Sequence, residues 1–158
     1  MPEIITHNAD ETRALGFRLG QLLKPGDVLA LEGPLGAGKT ELVRGLCRGL
    51  QIPEEIEVQS PTFTIVNVYP GEVPLYHIDL YRVNDATELY NIGLEEYLYG
   101  DGVSAVEWFS LCPQARPKKY LLLEIAFLDA ESRRVSLEGI GDARLSEIAA
   151  KLVLGLSA

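Results

Sequence analysis

Cysteine, methionine, tryptophan and histidine are all scarce in this chain of 158 residues, which carries two, one, one and two of them. Cys47 and Cys112 form no CxxC or other metal-ligand spacing, so neither a disulfide framework nor a metal knuckle is expected. That usage fits a reducing cytoplasm. Basic residues are also in short supply: 14 Lys+Arg face 23 Asp+Glu, a formal net charge of −9. A chain this negative is not expected to hold nucleic acid on a broad basic surface of its own. No uncharged stretch approaches the ~18 apolar residues of a membrane span. The opening MPEIITHNADE is acidic and has no apolar h-region, which argues against a secretory signal. Repeats, low-complexity tracts and linkers are missing too, and residues 1–158 are expected to form one domain.

What is present is ordinary globular material, 47% hydrophobic and 23% charged. Leu15, Leu19, Leu22 and Leu23 form one stripe, predicting a helix over Asp10–Leu23 with Asn8 or Asp10 as N-cap. Val28–Leu31 is a short apolar run between turn signals and reads as a buried strand. Thr40–Leu50 returns to helical spacing. Thr62–Tyr69 and Leu75–Asp79 read as strands joined by Pro70-Gly71-Glu72. Thr87–Tyr99 is helical with an interruption at Gly93, Val103–Trp108 a strand, Tyr120–Phe127 and Arg134–Leu137 later strands, and Leu145–Leu156 a closing helix. Strands mixed with helices, with a hairpin-like pair in the middle, predict an α/β fold whose sheet has mixed direction.

The strongest chemical signal is Gly33-Pro34-Leu35-Gly36-Ala37-Gly38-Lys39-Thr40, a complete G-x-x-x-x-G-K-T between a predicted strand and a predicted helix. Gly36 and Gly38 let successive backbone N–H groups turn inward as a nest for phosphate oxygens. The following helix adds its unpaired N–H groups and positive dipole end. Lys39 is placed for the β- and γ-phosphates, and the Thr40 hydroxyl for Mg²⁺.

Such a loop needs acids at neighbouring strand ends to hold Mg²⁺ and orient water. Asp79 ends Leu75-Tyr76-His77-Ile78, and Glu107 ends Val103-Ser104-Ala105-Val106, each at a sheet mouth where open α/β folds bind ligands. His77 shares a strand face with Asp79 and is read as a hydrogen-bonding histidine near the site rather than a zinc ligand. The hydroxyls of Ser60-Pro61-Thr62-Phe63 fit a γ-phosphate sensor or an ordinary turn equally well. Arg82 suits phosphate or surface, and Trp108 the nucleotide or the core.

Taken in order, the acidic helix start from Asp10 with Thr12, Leu31-Glu32-Gly33, the phosphate loop, Arg44-Gly45, Ser60-Pro61-Thr62-Phe63-Thr64, His77-Ile78-Asp79-Leu80-Tyr81-Arg82, Gly93 and Val106-Glu107-Trp108 resemble the TsaE (YjeE) family of small bacterial ATPases. The family serves the formation of threonylcarbamoyladenosine in tRNA. The S-P-T-F, H-x-D-L-Y-R and V-E-W blocks carry the resemblance more specifically than the loop does. It implies a three-layer P-loop NTPase-like α/β fold with a mixed parallel and antiparallel sheet. It also implies ATP and Mg²⁺ as ligands, with slow hydrolysis that resets a transfer complex with TsaB and TsaD between turnovers, tRNA being met only through those partners. Carried onto this chain, the nucleotide-contacting run is Gly36, Ala37, Gly38, Lys39, Thr40 and Glu41. Lys39, Asp79 and Glu107 are the catalytic residues, and Thr40, Glu107 and Asp79 the Mg²⁺ residues. Thr62 belongs to the switch-like segment, Trp108 lies near the nucleotide, and the late strand sends an arginine to it, with Arg134 chosen over Arg133.

Pro34 stands where the family is usually acidic, and Phe109–Pro117 lacks the family's usual continuation after the tryptophan. A small-molecule kinase is the first rival reading, but the arginines are scattered rather than gathered into a lid. A GTPase would need an N-K-x-D or T-K-x-D block, and none occurs. A nucleotide-dependent interaction module with negligible hydrolysis is the third.

Overall fold

The structure is a computed structural model that describes residues 2–157. Its strands are β1 (Glu3–Thr6), β2 (Val28–Glu32), β3 (Val66–Tyr69), β4 (Leu75–Asp79), β5 (Val103–Glu107), β6 (Leu121–Phe127) and β7 (Arg133–Gly139). Its α-helices are α1 (Ala9–Leu22), α2 (Lys39–Gly49), α3 (Ala86–Ile92), α4 (Leu94–Leu98) and α5 (Asp142–Ser157). The strands form one seven-stranded sheet in the order β1-β7-β6-β2-β5-β4-β3. β6, β2, β5 and β4 run parallel, while β1, β7 and β3 add antiparallel edges.

The sheet separates two apolar layers. Leu29, Leu31, Val103, Ala105, Leu123 and Val135 face α1, α2 and α5. Val28, Ala30, Ile78 and Val106 face α3, α4 and the two single-turn 3-10 helices at Phe109–Leu111 and Pro113–Ala115. Every residue of β5 is buried, as expected of a central parallel strand covered on both faces. This is the expected three-layer α/β arrangement with a mixed sheet. Both cysteines are free and buried, and burial raises the Cys47 thiol to about 12.

Among the described residues, no helix is long and apolar enough to cross a membrane. Strand β1 was not expected: four residues with a single alternation are too short for periodicity to register. The strand expected from Thr62 begins only at Val66, because residues 62–65 turn, and Ile65 takes a left-handed φ of 69°. Gly93, at φ 75°, splits the expected Thr87–Tyr99 helix into α3 and α4.

Helix α2 carries the end of the phosphate loop, and its seat is set by a glycine-on-glycine crossing with α1. A Cβ on Gly45 would lie 2.0 Å from the Arg13 carbonyl oxygen, and one on Gly16 would lie 2.2 Å from the Leu42 carbonyl oxygen. Both obstacles are backbone, so neither can rotate away. Gly45→Ala is therefore expected to cost about 1–3 kcal/mol or more through overpacking. Thermal melting should show a drop of roughly 3–10 °C.

Candidate nucleotide site

Three parallel strands deliver their C-terminal ends to one edge of the sheet. In the ladder, Asp79 of β4 is opposite Glu107 of β5, and Glu107 is opposite Leu31 of β2, one residue before Glu32 and the loop. Strand parity puts His77, Asp79 and Glu107 on the face covered by α2. Gly36 and Gly38 have φ of 81° and 109°, backbone conformations that L side chains rarely adopt, and Gly38 is the N-cap of α2. The loop thus enters the helix with its N–H groups unclaimed by a capping side chain.

Lys39 is buried at 7% exposure, donating to the Gly33 carbonyl at 2.9 Å. Its Nζ lies 3.5 Å from Glu107 Oε1 and 4.6 Å from the centroid of the Trp108 ring. Glu107 and Asp79 are each 4% exposed, so two carboxylates share one buried corner with a single ammonium. Thr40 follows Lys39 in the first turn of α2. Glu41 follows it, but its carboxylate is held by Arg13 at 2.8 Å and by Arg44. Those arginines neutralise the charge that would otherwise oppose an anion at the helix start.

The two acids titrate in opposite directions. Burial raises the Asp79 pKa, and the charge of Glu107 adds to the rise; the Tyr81 N–H at 2.9 Å and Lys39 only partly offset this. Burial also pushes Glu107 upward, but its hydrogen bond from His77 at 2.5 Å and the charges of His77 and Lys39 together hold it below the usual range. The signs matter for stability. Glu107 contributes stability above its unfolded pKa that is lost as pH falls through its lower folded value. Asp79 does the reverse: its ionisation weakens the fold as pH rises, a standing cost at neutral pH. Asp79→Asn should therefore raise the melting temperature of the nucleotide-free protein at neutral pH while lowering turnover more than nucleotide affinity. At acid pH, where Asp79 is protonated, the stability gain should vanish.

The segment before β3 leans on the same corner. Thr62 Oγ1 donates to Asp79 Oδ2 at 3.4 Å and lies 2.8 Å from Ser60 Oγ, and the Arg82 guanidinium covers the exposed Phe63 ring at 5.3 Å. Trp108, directly after Glu107, holds φ 63° and packs obliquely on Tyr81 at 5.0 Å. Of the four described non-glycine residues in left-handed backbone, Ile65 and Trp108 flank this corner while Gln51 and Ile140 lie elsewhere; such backbone costs about 1–3 kcal/mol per residue. In Phe109–Pro117, Phe109 is core, and Ser110 donates twice to Glu32 at the end of β2.

Arg134, the arginine expected near the nucleotide, is placed away from the loop. Arg134 lies on the other face of β7, 3.6 Å from Glu3 of β1. Arg133 instead donates through Nε to the Ala37 carbonyl at 3.0 Å and stacks on Phe127 at 4.4 Å. Parity decides this: Val135 and Leu137 point into the layer beneath α1 and α2, and Arg133 shares their face. Asn8, Thr12, Gly36, Gly38, Glu131 and Arg133 line a cavity of about 260 Å³ beside the loop. Asn8, Thr12, Glu131 and Arg133 were not among the expected site residues; for Arg133 the sequence signal was the alternation of β7. A larger groove of about 720 Å³, between α3, α4 and Gln114–Arg116, contains no phosphate-loop residue.

Comparison with known proteins agrees with this geometry. The family described as "Threonylcarbamoyl adenosine biosynthesis protein TsaE" matches residues 6–135. The tRNA threonylcarbamoyladenosine biosynthesis protein TsaE of Bacillus subtilis (strain 168) is 42% identical over 138 residues, 87% of this chain and 85% of its own. That of Treponema pallidum (strain Nichols) is 38% identical over 133 residues, 84% of this chain and 97% of its own. A crystal structure of Bacillus subtilis YdiB superimposes with a TM-score of 0.79 at 36% identity, covering 96% of this chain and 93% of that one. With its motif blocks, fold and relatives all in accord, the chain belongs to the TsaE family.

Proposed function

We propose that this chain binds ATP with Mg²⁺ and hydrolyses it in the biosynthesis of tRNA threonylcarbamoyladenosine, as the ATPase of a cytoplasmic complex with TsaB- and TsaD-like proteins. The observation that carries the reading is the corner itself: Lys39 at the mouth of a left-handed glycine loop, within 3.5 Å of Glu107, with Asp79 in register beside it. A triphosphate fits this corner because the loop offers N–H groups, a helix N-terminus and one buried ammonium. Mg²⁺ fits because the donors on hand are hard oxygens, from Thr40, Glu107 and Asp79. When bound, Mg²⁺ would neutralise charge on the phosphate oxygens.

Each residue then has a task. The Gly36–Thr40 backbone holds phosphate, and the Lys39 ammonium stabilises charge that shifts among the phosphate oxygens during transfer. Glu107, held below the usual carboxylate range, would hold Mg²⁺. Asp79, whose burial favours the protonated form, is the better proton acceptor and orients water through Oδ2, the oxygen that Thr62 contacts. The Thr62 contact gives the turn before β3 a direct route for sensing phosphate. The 260 Å³ cavity takes the adenosine end, with Arg133 at its wall.

The net charge of −9 fits this division of labour. Positive potential is needed only at the phosphate corner, while the acidic remainder faces protein partners that carry the tRNA contacts. ATP turnover by the purified chain, alone and with a TsaB–TsaD pair, tests the reading. Slow hydrolysis that the partners accelerate is expected. Fast transfer of phosphate to a small-molecule acceptor would overturn it in favour of a kinase.

A further inference from the structure

His77 is fully buried, and among the described residues its ring has one polar partner, Glu107: Nε2 lies 2.5 Å from Glu107 Oε2, while Nδ1 has none. An ionised carboxylate only accepts, so Nε2 carries the proton and donates. Nδ1 is then left as a buried polar atom with no partner, a feature a leucine or phenylalanine would avoid. Packing alone therefore gives no reason for a histidine at this place. In the ladder His77 is opposite Ala105, whose small side chain leaves the ring room to reach along the sheet to Glu107. The contact claims Oε2 and leaves Oε1 as the oxygen beside Lys39.

We propose that His77 is a positioning residue for nucleotide-linked Mg²⁺: its Nε2–H fixes the rotation of the Glu107 carboxylate so that Oε1 faces the phosphate corner. The proposal rests on the reading of Glu107 as a Mg²⁺ residue. Groups that orient a metal-binding side chain typically shift metal affinity about 10–100-fold when removed. Burial on the sheet, between β3 and β5, makes the orientation rigid before any ligand arrives.

The test is the Mg²⁺ dependence of ADP binding, followed by emission of Trp108, the chain's single tryptophan. It compares wild type, His77→Leu, His77→Gln and Glu107→Gln, each also titrated with ADP in the presence of EDTA. Gln places an amide N–H where Nε2 stands, so His77→Gln is the conservative variant. The expected result is a Mg²⁺ requirement raised about tenfold or more in His77→Leu and Glu107→Gln. His77→Gln should restore most of the loss, and ADP affinity in EDTA should be unchanged in both His77 variants. If Glu107→Gln raises the requirement while His77→Leu leaves it at the wild-type value, the positioning role is refuted and the metal reading stands. If Glu107→Gln also leaves it unchanged, the metal reading fails and takes the proposal with it. Should His77→Leu not fold, His77→Asn, whose amide is too short to reach Glu107, replaces it with the same two outcomes.

Discussion

Lys39→Ala is expected to lower ADP and ATP affinity about 10–100-fold and to bring ATP turnover below detection, with or without partner proteins. The affinity figure follows from hydrogen bonds to a charged group, worth about 1.5–3 kcal/mol, where each 1.4 kcal/mol is about tenfold. Turnover falls further because charge moves among the phosphate oxygens in the transition state, and a preorganised buried cation is worth most there. Lys39 is the one cation within ion-pair distance of Glu107 among the described lysines and arginines, so no neighbour substitutes for it. Equilibrium dialysis with ADP and a phosphate-release assay check both parts. Full stimulation of ATP hydrolysis by partners in Lys39→Ala would show that the site is misassigned.

Glu107→Gln is the second large effect. The amide keeps an acceptor for the His77 N–H and preserves shape, but removes the negative charge offered to the metal. Turnover should fall roughly 10²- to 10³-fold, the scale of losing one preorganised electrostatic group. Glu107→Ala should be as inactive but also less stable. It strands the His77 Nε2–H, leaving both ring nitrogens without partners in a fully buried position. An orphaned buried group costs about 1–3 kcal/mol, so Glu107→Ala should melt several degrees below Glu107→Gln. Steady-state hydrolysis and thermal melting of the two variants side by side separate the electrostatic role from the structural one.

Much of this site is legible in the sequence, for reasons that are local. The glycine positions of a phosphate loop are dictated by left-handed backbone and close approach to phosphate, so the motif reports geometry directly. Asp79 and Glu107 could be paired because each ends an apolar strand run, and parallel strands align their ends. Long-range placement was less accessible. Whether Arg133 or Arg134 meets the loop depends on which face of β7 packs beneath α1 and α2. A strand expected to begin at Arg134 left Arg133 outside the alternation that decides it. Strand β1 was invisible because it exists through pairing with β7 rather than through its own pattern. The turn at Thr62–Ile65 looked like strand because β-branched residues are frequent there. A local turn bond to Pro61 and a tertiary bond to Asp79 hold Ile65 in a conformation its side chain disfavours.

The most direct test of the account is the number of tRNA molecules modified per complex by a reconstituted TsaB–TsaD pair. The threonylcarbamoyl donor is supplied ready-made, so that ATP serves this chain alone. If hydrolysis by this chain resets the transfer complex between turnovers, many modified tRNAs per complex are expected with the wild-type chain and ATP, and about one or fewer with Lys39→Ala or without ATP. Sustained modification with Lys39→Ala, or with ATP withheld, would contradict it.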